Sequence, residues 1–120
     1  MNTSAQGAQA EAQAASYLIQ KGYRILARNF RAPGGEIDLI AQQRKVLVFV
    51  EVKQRADCSF GGPLQAVGST KQKRVAKAAV AFIKTHQALA YDAIRFDVIC
   101  ILPGKLEHIE NAFLPPRTTL

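Results

Sequence analysis

The sequence predicts an α/β fold: a mixed sheet in the order helix, three strands, helix, strand, with a short final edge strand after it. Three stretches carry this expectation. Residues up to Lys21 place apolar side chains at steps of three and four, Val46–Lys53 is a nearly unbroken aliphatic run, and Ser69–His86 returns to the helical period. Residues 1–5 read as a frayed polar tail and 6–120 as one domain.

Composition narrows the class. The chain has 120 residues, of which 48% are hydrophobic and 21% charged, which is a globular composition rather than a disordered one. No apolar run reaches the ~20 residues that span a bilayer. The first twenty residues hold no basic side chain and no apolar core, which argues against a secretory signal. Two cysteines, Cys58 and Cys100, are too few for a disulfide scaffold, and two histidines add little toward a zinc site. A reducing, cytoplasmic location is the default expectation. Sixteen Lys and Arg against nine Asp and Glu give a formal charge of +7. Such an excess attracts polyanions, nucleic acid first among them, although a merely solvated surface explains it equally well.

The elements follow in order. In the first helix Glu11, Ala14, Ala15, Leu18 and Ile19 share one face, and Gly22 supplies the stop. Glu11 is its only acid and falls on the side expected to meet the core. Tyr23–Phe30 reads as a strand and Ala32–Gly35 as a turn. Glu36–Ile40 alternates acid and aliphatic, the period of a strand with one face on a core. A polar connection over Gln42–Lys45 makes the next strand, Val46–Lys53, its antiparallel neighbour. Because that run is apolar on both faces, it belongs in the middle of the sheet. Cys58–Gly68 reads as a loop. Ser69–Gln72 fits a capping box for the second helix, whose apolar face is Val75, Ala78, Ala79, Phe82 and Ile83. Arg95–Leu102 is a further strand, stopped by Pro103-Gly104, and Glu107–Phe113 is the short edge strand.

The acids carry the chemistry. Glu51 and Lys53, two apart on a strand, point to one face at the end of an aliphatic run. A plain ion pair where the strand emerges into water would account for them alone. Asp38 lies on the adjoining strand, on the face of Glu36 and opposite Ile37 and Leu39, and a hairpin register that aligns the core faces brings it near Glu51. Two carboxylates held together repel unless a proton or cation lies between them. Oxygen donors of this kind suit Mg2+ or Mn2+, and a lysine beside the ion can stabilise developing negative charge. Glu11 is placed to supply a third carboxylate from above the sheet, or an ordinary salt bridge on the helix surface.

The ordered set of residues carries a family resemblance. Asp38, then Glu51-Val52-Lys53, resembles the Asp…Glu-x-Lys signature of the PD-(D/E)XK nucleases, the restriction-endonuclease-like fold. More specifically, Gly7, Glu11, Ala14, Leu18, Gly22, Asn29, Gly35–Ile40, Val48–Lys53, Arg95–Val98 and Asn111-Ala112-Phe113 resemble the YraN family of uncharacterised bacterial proteins, over nearly the whole chain. That family is in turn similar to archaeal Holliday junction resolvases. The resemblance implies Glu11, Asp38 and Glu51 as ligands of Mg2+ or Mn2+, and Lys53 as the catalytic lysine beside them. Ile37-Asp38 stands where the superfamily name has Pro-Asp, a departure that leaves the metal-ligand positions intact.

Around this centre Arg55 follows the Glu-x-Lys strand, and Lys71, Lys73, Arg74 and Lys77 cluster at the start of the second helix. They read as contacts to nucleic acid, or as loop structure and a solvated helix face. Arg95 and Asp97 read as a structural ion pair, His86 and His108 as isolated surface residues, and neither cysteine as a nucleophile. The expected function is a divalent-metal-dependent nuclease on DNA, resolvase-like, with a symmetric dimer supplying the two sites that a junction needs. The alternatives are a non-catalytic nucleic-acid-binding module on the same scaffold and, with no positive feature in its favour, a protein-docking adaptor.

Overall fold

The computed structural model describes residues 5–54 and 68–114. The elements are α1 (Ala5–Gln20), β1 (Arg24–Ala32), β2 (Gly35–Gln43), β3 (Val46–Gln54), α2 (Ser69–Thr85), β4 (Ala93–Leu102) and β5 (Lys105–Ile109). This is the expected α/β order, with the fifth strand present. The five strands form one sheet in sequence order. All neighbours are antiparallel except β3 and β4, which run parallel over Val46–Gln54 and Ala93–Ile101. A parallel pair needs a crossover, and α2 lies in that connection.

The sheet has a core on each face. Leu47 and Phe49 of β3 point to one side, with Val75, Ala78, Ala79 and Phe82 of α2 and Phe96 and Val98 of β4. Val48 and Val50 point to the other, with Ala14, Ala15 and Leu18 of α1. This two-sided burial explains why β3 shows no hydrophobic alternation. Small residues dominate the inner face of α1, where Ala10, Ala14, Ala15 and Leu18 are buried. Ile19, expected on that face, is 53% exposed. It lies in the last turn of α1, just before the stop at Gly22 (φ +93).

Local chemistry corrects three further expectations. The capping box is absent: Gly68 is the N-cap of α2 and no side-chain cap bond forms, while Gln72 N–H donates to the Gly68 carbonyl. Pro103-Gly104 is a turn into β5 rather than a terminator, and β5 occupies Lys105–Ile109 instead of Glu107–Phe113. Cys100 is buried on the α2 side and disulfide-bonded, although two cysteines alone give no reason to expect a disulfide, so it offers no thiol. The expected loop, from Cys58 as far as Val67, lies outside the described residues, as does the tail 1–5 apart from Ala5, where α1 begins. Among the described residues no helix is long and apolar enough to cross a membrane.

Candidate active site

The site forms where the central strands part. β2 and β3 pair from Gln43/Val46 to Leu39/Val50 and stop, although both strands continue. The next pair in that register would be Asp38 and Glu51. Each strand stays attached to its outer neighbour: β2 pairs β1 as far as Gly35, and β3 pairs β4 through Gln54. A gap therefore opens between them, and Asp38 spans it. Its Oδ2 accepts a 2.8 Å hydrogen bond from Val52 N–H, in place of a backbone ladder bond.

The alternation of β2 reverses at the same point. Ile37 belongs to the α2-side core, yet Leu39, two residues on, belongs to the α1-side core. A regular strand would put both on one face. Across from Asp38, between the pairs Arg28/Leu39 and Phe30/Ile37, stands Asn29 with φ 50. Asn tolerates this left-handed conformation better than most residues. Its side chain lies near enough to Glu11 of α1 to favour the charged form of that carboxyl.

The carboxylates meet in and around this gap. Glu11 is in hydrogen-bond reach of Asp38, and burial together with the Asp38 charge raises its pKa against the help of Asn29. Burial also raises Asp38, opposed by the Val52 N–H, Lys71 and Lys53. Glu51 is 1% exposed; burial and then Asp38 push its pKa up to about 8, against Lys71 and Lys53. Lys71 of α2 places Nζ 3.2 Å from Glu51 Oε1. Burial works against the Lys71 charge, but Glu51 and Asp38 outweigh it and raise its pKa. The other oxygen, Glu51 Oε2, is buried and has no hydrogen-bond partner among the described residues.

Packing of α2 sets this geometry. A Cβ on Gly35 would lie 1.9 Å from the Arg74 carbonyl oxygen, so only glycine allows the helix to rest on the start of β2. That contact seats the first turn of α2, with Lys71, over Glu51. Lys73, Arg74 and Lys77 are exposed, with the Lys77 stem against Gly34. Arg55 lies outside the described residues. Glu11, Asp38, Glu51 and Lys53 thus share one region, and Lys71, expected on nucleic acid, pairs with Glu51 there. Sequence reading also passed over Asn29 as a working residue; an Asn inside a strand, opposite the key acid, was the available signal. Glu36, ion-paired to Arg31 at 3.8 Å, adds its charge to Asp38, Glu11 and Lys71.

Asp97 belongs to a second, structural network. It is fully buried, accepts from Arg95 Nε at 2.9 Å and from Asn111 N–H at 3.1 Å, and bonds His108 Nε2 at 2.7 Å. Arg95 also donates to the Tyr23 hydroxyl, and Tyr17 bonds the other His108 nitrogen. The expected Arg95–Asp97 pair is present, but His108 is no isolated surface residue, because its side chain is 6% exposed. His86 is exposed, as expected, yet it is not isolated: it caps α2, stacked on Phe82 and bonded to its carbonyl.

Residues 10–101 match the profile of an uncharacterised protein family, UPF0102, the designation that covers the YraN proteins. The chain is 46% identical to a UPF0102 protein of Chlorobium phaeobacteroides over 90% of its length and 93% of the relative's. It is 47% identical to one of Thermodesulfovibrio yellowstonii, covering 89% and 94%. A third, from Saccharophagus degradans, is 46% identical over 89% and 91%.

Proposed function

The chain belongs to the UPF0102 family, and within it we propose that this protein is a divalent-metal-dependent nuclease that hydrolyses phosphodiester bonds in DNA, with the architecture of a junction resolvase. The observation that carries the reading is Glu51 Oε2, buried without a partner among the described residues beside a second raised carboxylate. An unsatisfied buried acceptor is expensive, and a hard cation between Glu51 and Asp38 would satisfy it and relieve their repulsion. The donor set therefore fits Mg2+ or Mn2+, held by Glu51 and Asp38, with Glu11 reaching in from α1. As they stand, no three His, Cys, Asp or Glu side chains among the described residues are gathered tightly enough to hold an ion, so Glu11 must close in when one binds.

Such an ion supplies Lewis-acid polarisation of the phosphodiester and a more acidic water. The chain's own residues do the remainder. Lys53, whose charge acts on both Asp38 and Glu51, sits where it can stabilise negative charge developing on the phosphoryl oxygens. Lys71 holds Glu51 by one oxygen and leaves the other without a partner among the described residues. The exposed cations of α2, Lys73, Arg74 and Lys77, are positioned to take flanking backbone phosphates. A homodimer would supply the second site required to cut both strands of a junction.

The test is single-turnover cleavage of labelled branched, duplex and single-stranded DNA in Mg2+ or Mn2+. The expected result is cleavage by the parent that Glu51→Gln abolishes and Lys53→Ala reduces by about 100-fold or more. A parent that cuts nothing on the panel with either ion overturns the reading. The second reading, a non-catalytic nucleic-acid-binding module, is favoured by one feature: Lys71 already pairs with one oxygen of Glu51 without a metal.

A further inference from the structure

The far end of the sheet holds a different site. Gln42 lies four residues beyond Asp38 on β2, about 13 Å away at the rise of a strand. There a cavity of about 490 Å³ opens between the start of β1, the β2–β3 hairpin and the segment after α2, lined by Arg24, Gln42, Arg44, Lys45, Leu89 and Ala90 among others. Its volume is in the range of small-molecule sites.

Three cations share this pocket with no acid in its lining. Among the described residues, none of Arg24, Arg44 and Lys45 has a carboxylate within ion-pair distance. Neighbouring like charges repel, so their convergence favours an anion. Gln42, 8% exposed, fixes the wall: its Oε1 accepts from Arg24 Nη2 at 3.1 Å and its Nε2 donates to the Ala90 carbonyl at 2.7 Å. That leaves the other guanidinium donors of Arg24 for a ligand. The Lys45 carbonyl accepts from Asp92 and Ala93 N–H, which ties the hairpin to the opposite wall.

Arg44 adds an independent sign. It occupies the two-residue hairpin turn with φ 56, where Gly, Asn or Asp would be cheaper. Backbone strain of this kind gathers at functional sites. Leu89 and Ala90 give the same pocket an apolar wall, suited to a sugar or base beside a charged group.

We propose that this pocket binds phosphate, carried either by a free nucleotide or by the backbone of a nucleic acid, separately from the carboxylate centre. Fluorescence anisotropy with two probes tests it, in EDTA and at low salt: a labelled nucleoside triphosphate and a short labelled single-stranded oligodeoxynucleotide. The variants are Arg44→Gly with Lys45→Gln, which relaxes the turn while removing both charges, and Arg24→Gln on a different element. Saturable binding of at least one probe is expected, weakened at least about tenfold in both variants. Binding of the triphosphate identifies a free nucleotide as a sufficient source, and binding of the oligonucleotide alone identifies the backbone. If the parent binds neither probe, or both variants bind as tightly as the parent, the pocket is not a phosphate site.

Discussion

Glu51 and Asp97 are both buried acids, yet their environments push them in opposite directions. Asp97 has Arg95, His108 and the Asn111 N–H, which hold its pKa below the usual value despite burial. Glu51 is helped by Lys71 and Lys53, but burial and the neighbouring Asp38 carboxylate outweigh them and push its pKa up to about 8. The signs for stability therefore differ. A raised folded-state pKa stabilises the fold below the unfolded value and loses that contribution as pH climbs through the folded one. Metal-free stability should fall between about pH 4.5 and pH 8, by a few kcal/mol, and Glu51→Gln should flatten that decline. Urea titrations at stepped pH check this; a decline of equal size in the variant would show that Glu51 is not its source. Asp97 contributes in the other sense, with stability present above its unfolded pKa and lost as pH drops through the depressed folded one. Asp97→Asn should cost about 3–5 kcal/mol at neutral pH, the range for breaking a buried charge network, and chemical denaturation measures it. The sequence could suggest the Arg95–Asp97 pair from spacing alone. It could not show that His108 closes the network, because that contact joins strands through the tertiary fold.

At the scale of elements, periodicity revealed β3, α2 and the inner face of α1 because burial on a fold's core writes itself into hydrophobic spacing. It did not reveal the reversal of β2 at Asp38. The alternation runs unbroken only from Glu36 to Leu39, and a run of Leu39, Ile40 and Ala41 does not by itself reveal a change of face; the reversal coincides with Asn29 in a left-handed conformation opposite and with the parting of β2 and β3. Gly35 was legible only as a turn residue, whereas its working role is to admit the Arg74 carbonyl. That role predicts the effect of Gly35→Ala. With a backbone atom in the way, α2 must lift, at a cost of about 3 kcal/mol or somewhat less, in the range for overpacking, and Lys71 should move away from Glu51. A thermal melt reads the first effect. The second appears as a changed pH dependence of stability, and a variant that matches the parent in both would place the helix elsewhere.

For the molecule as a whole, the net charge of +7 favours polyanions in general, but only the fold shows how it is distributed. Lys73, Arg74 and Lys77 line the exposed side of α2 near the carboxylates, while Arg24, Arg44 and Lys45 gather at the other end of the sheet. DNA affinity should fall with salt, each phosphate contact adding about 0.9 to the log–log slope on duplex DNA. Lys73→Ala with Lys77→Ala should reduce the slope by up to about 2, and an unchanged slope would mean that this face of α2 does not meet the nucleic acid. The family pattern located Glu11, Asp38, Glu51 and Lys53 in one region because it orders residues that topology brings together. Their state of charge, and Lys71 beside them, depend on burial that no linear pattern encodes. The central claim is that these acids form a divalent-metal centre, and the global melting transition reports on it directly. In Mn2+ compared with EDTA, near pH 8, the parent should gain roughly 5 °C or more at saturation, while Asp38→Asn and Glu51→Gln should gain little or nothing. A parent whose melting point is unmoved by Mn2+, or variants that gain as much as the parent, would contradict it.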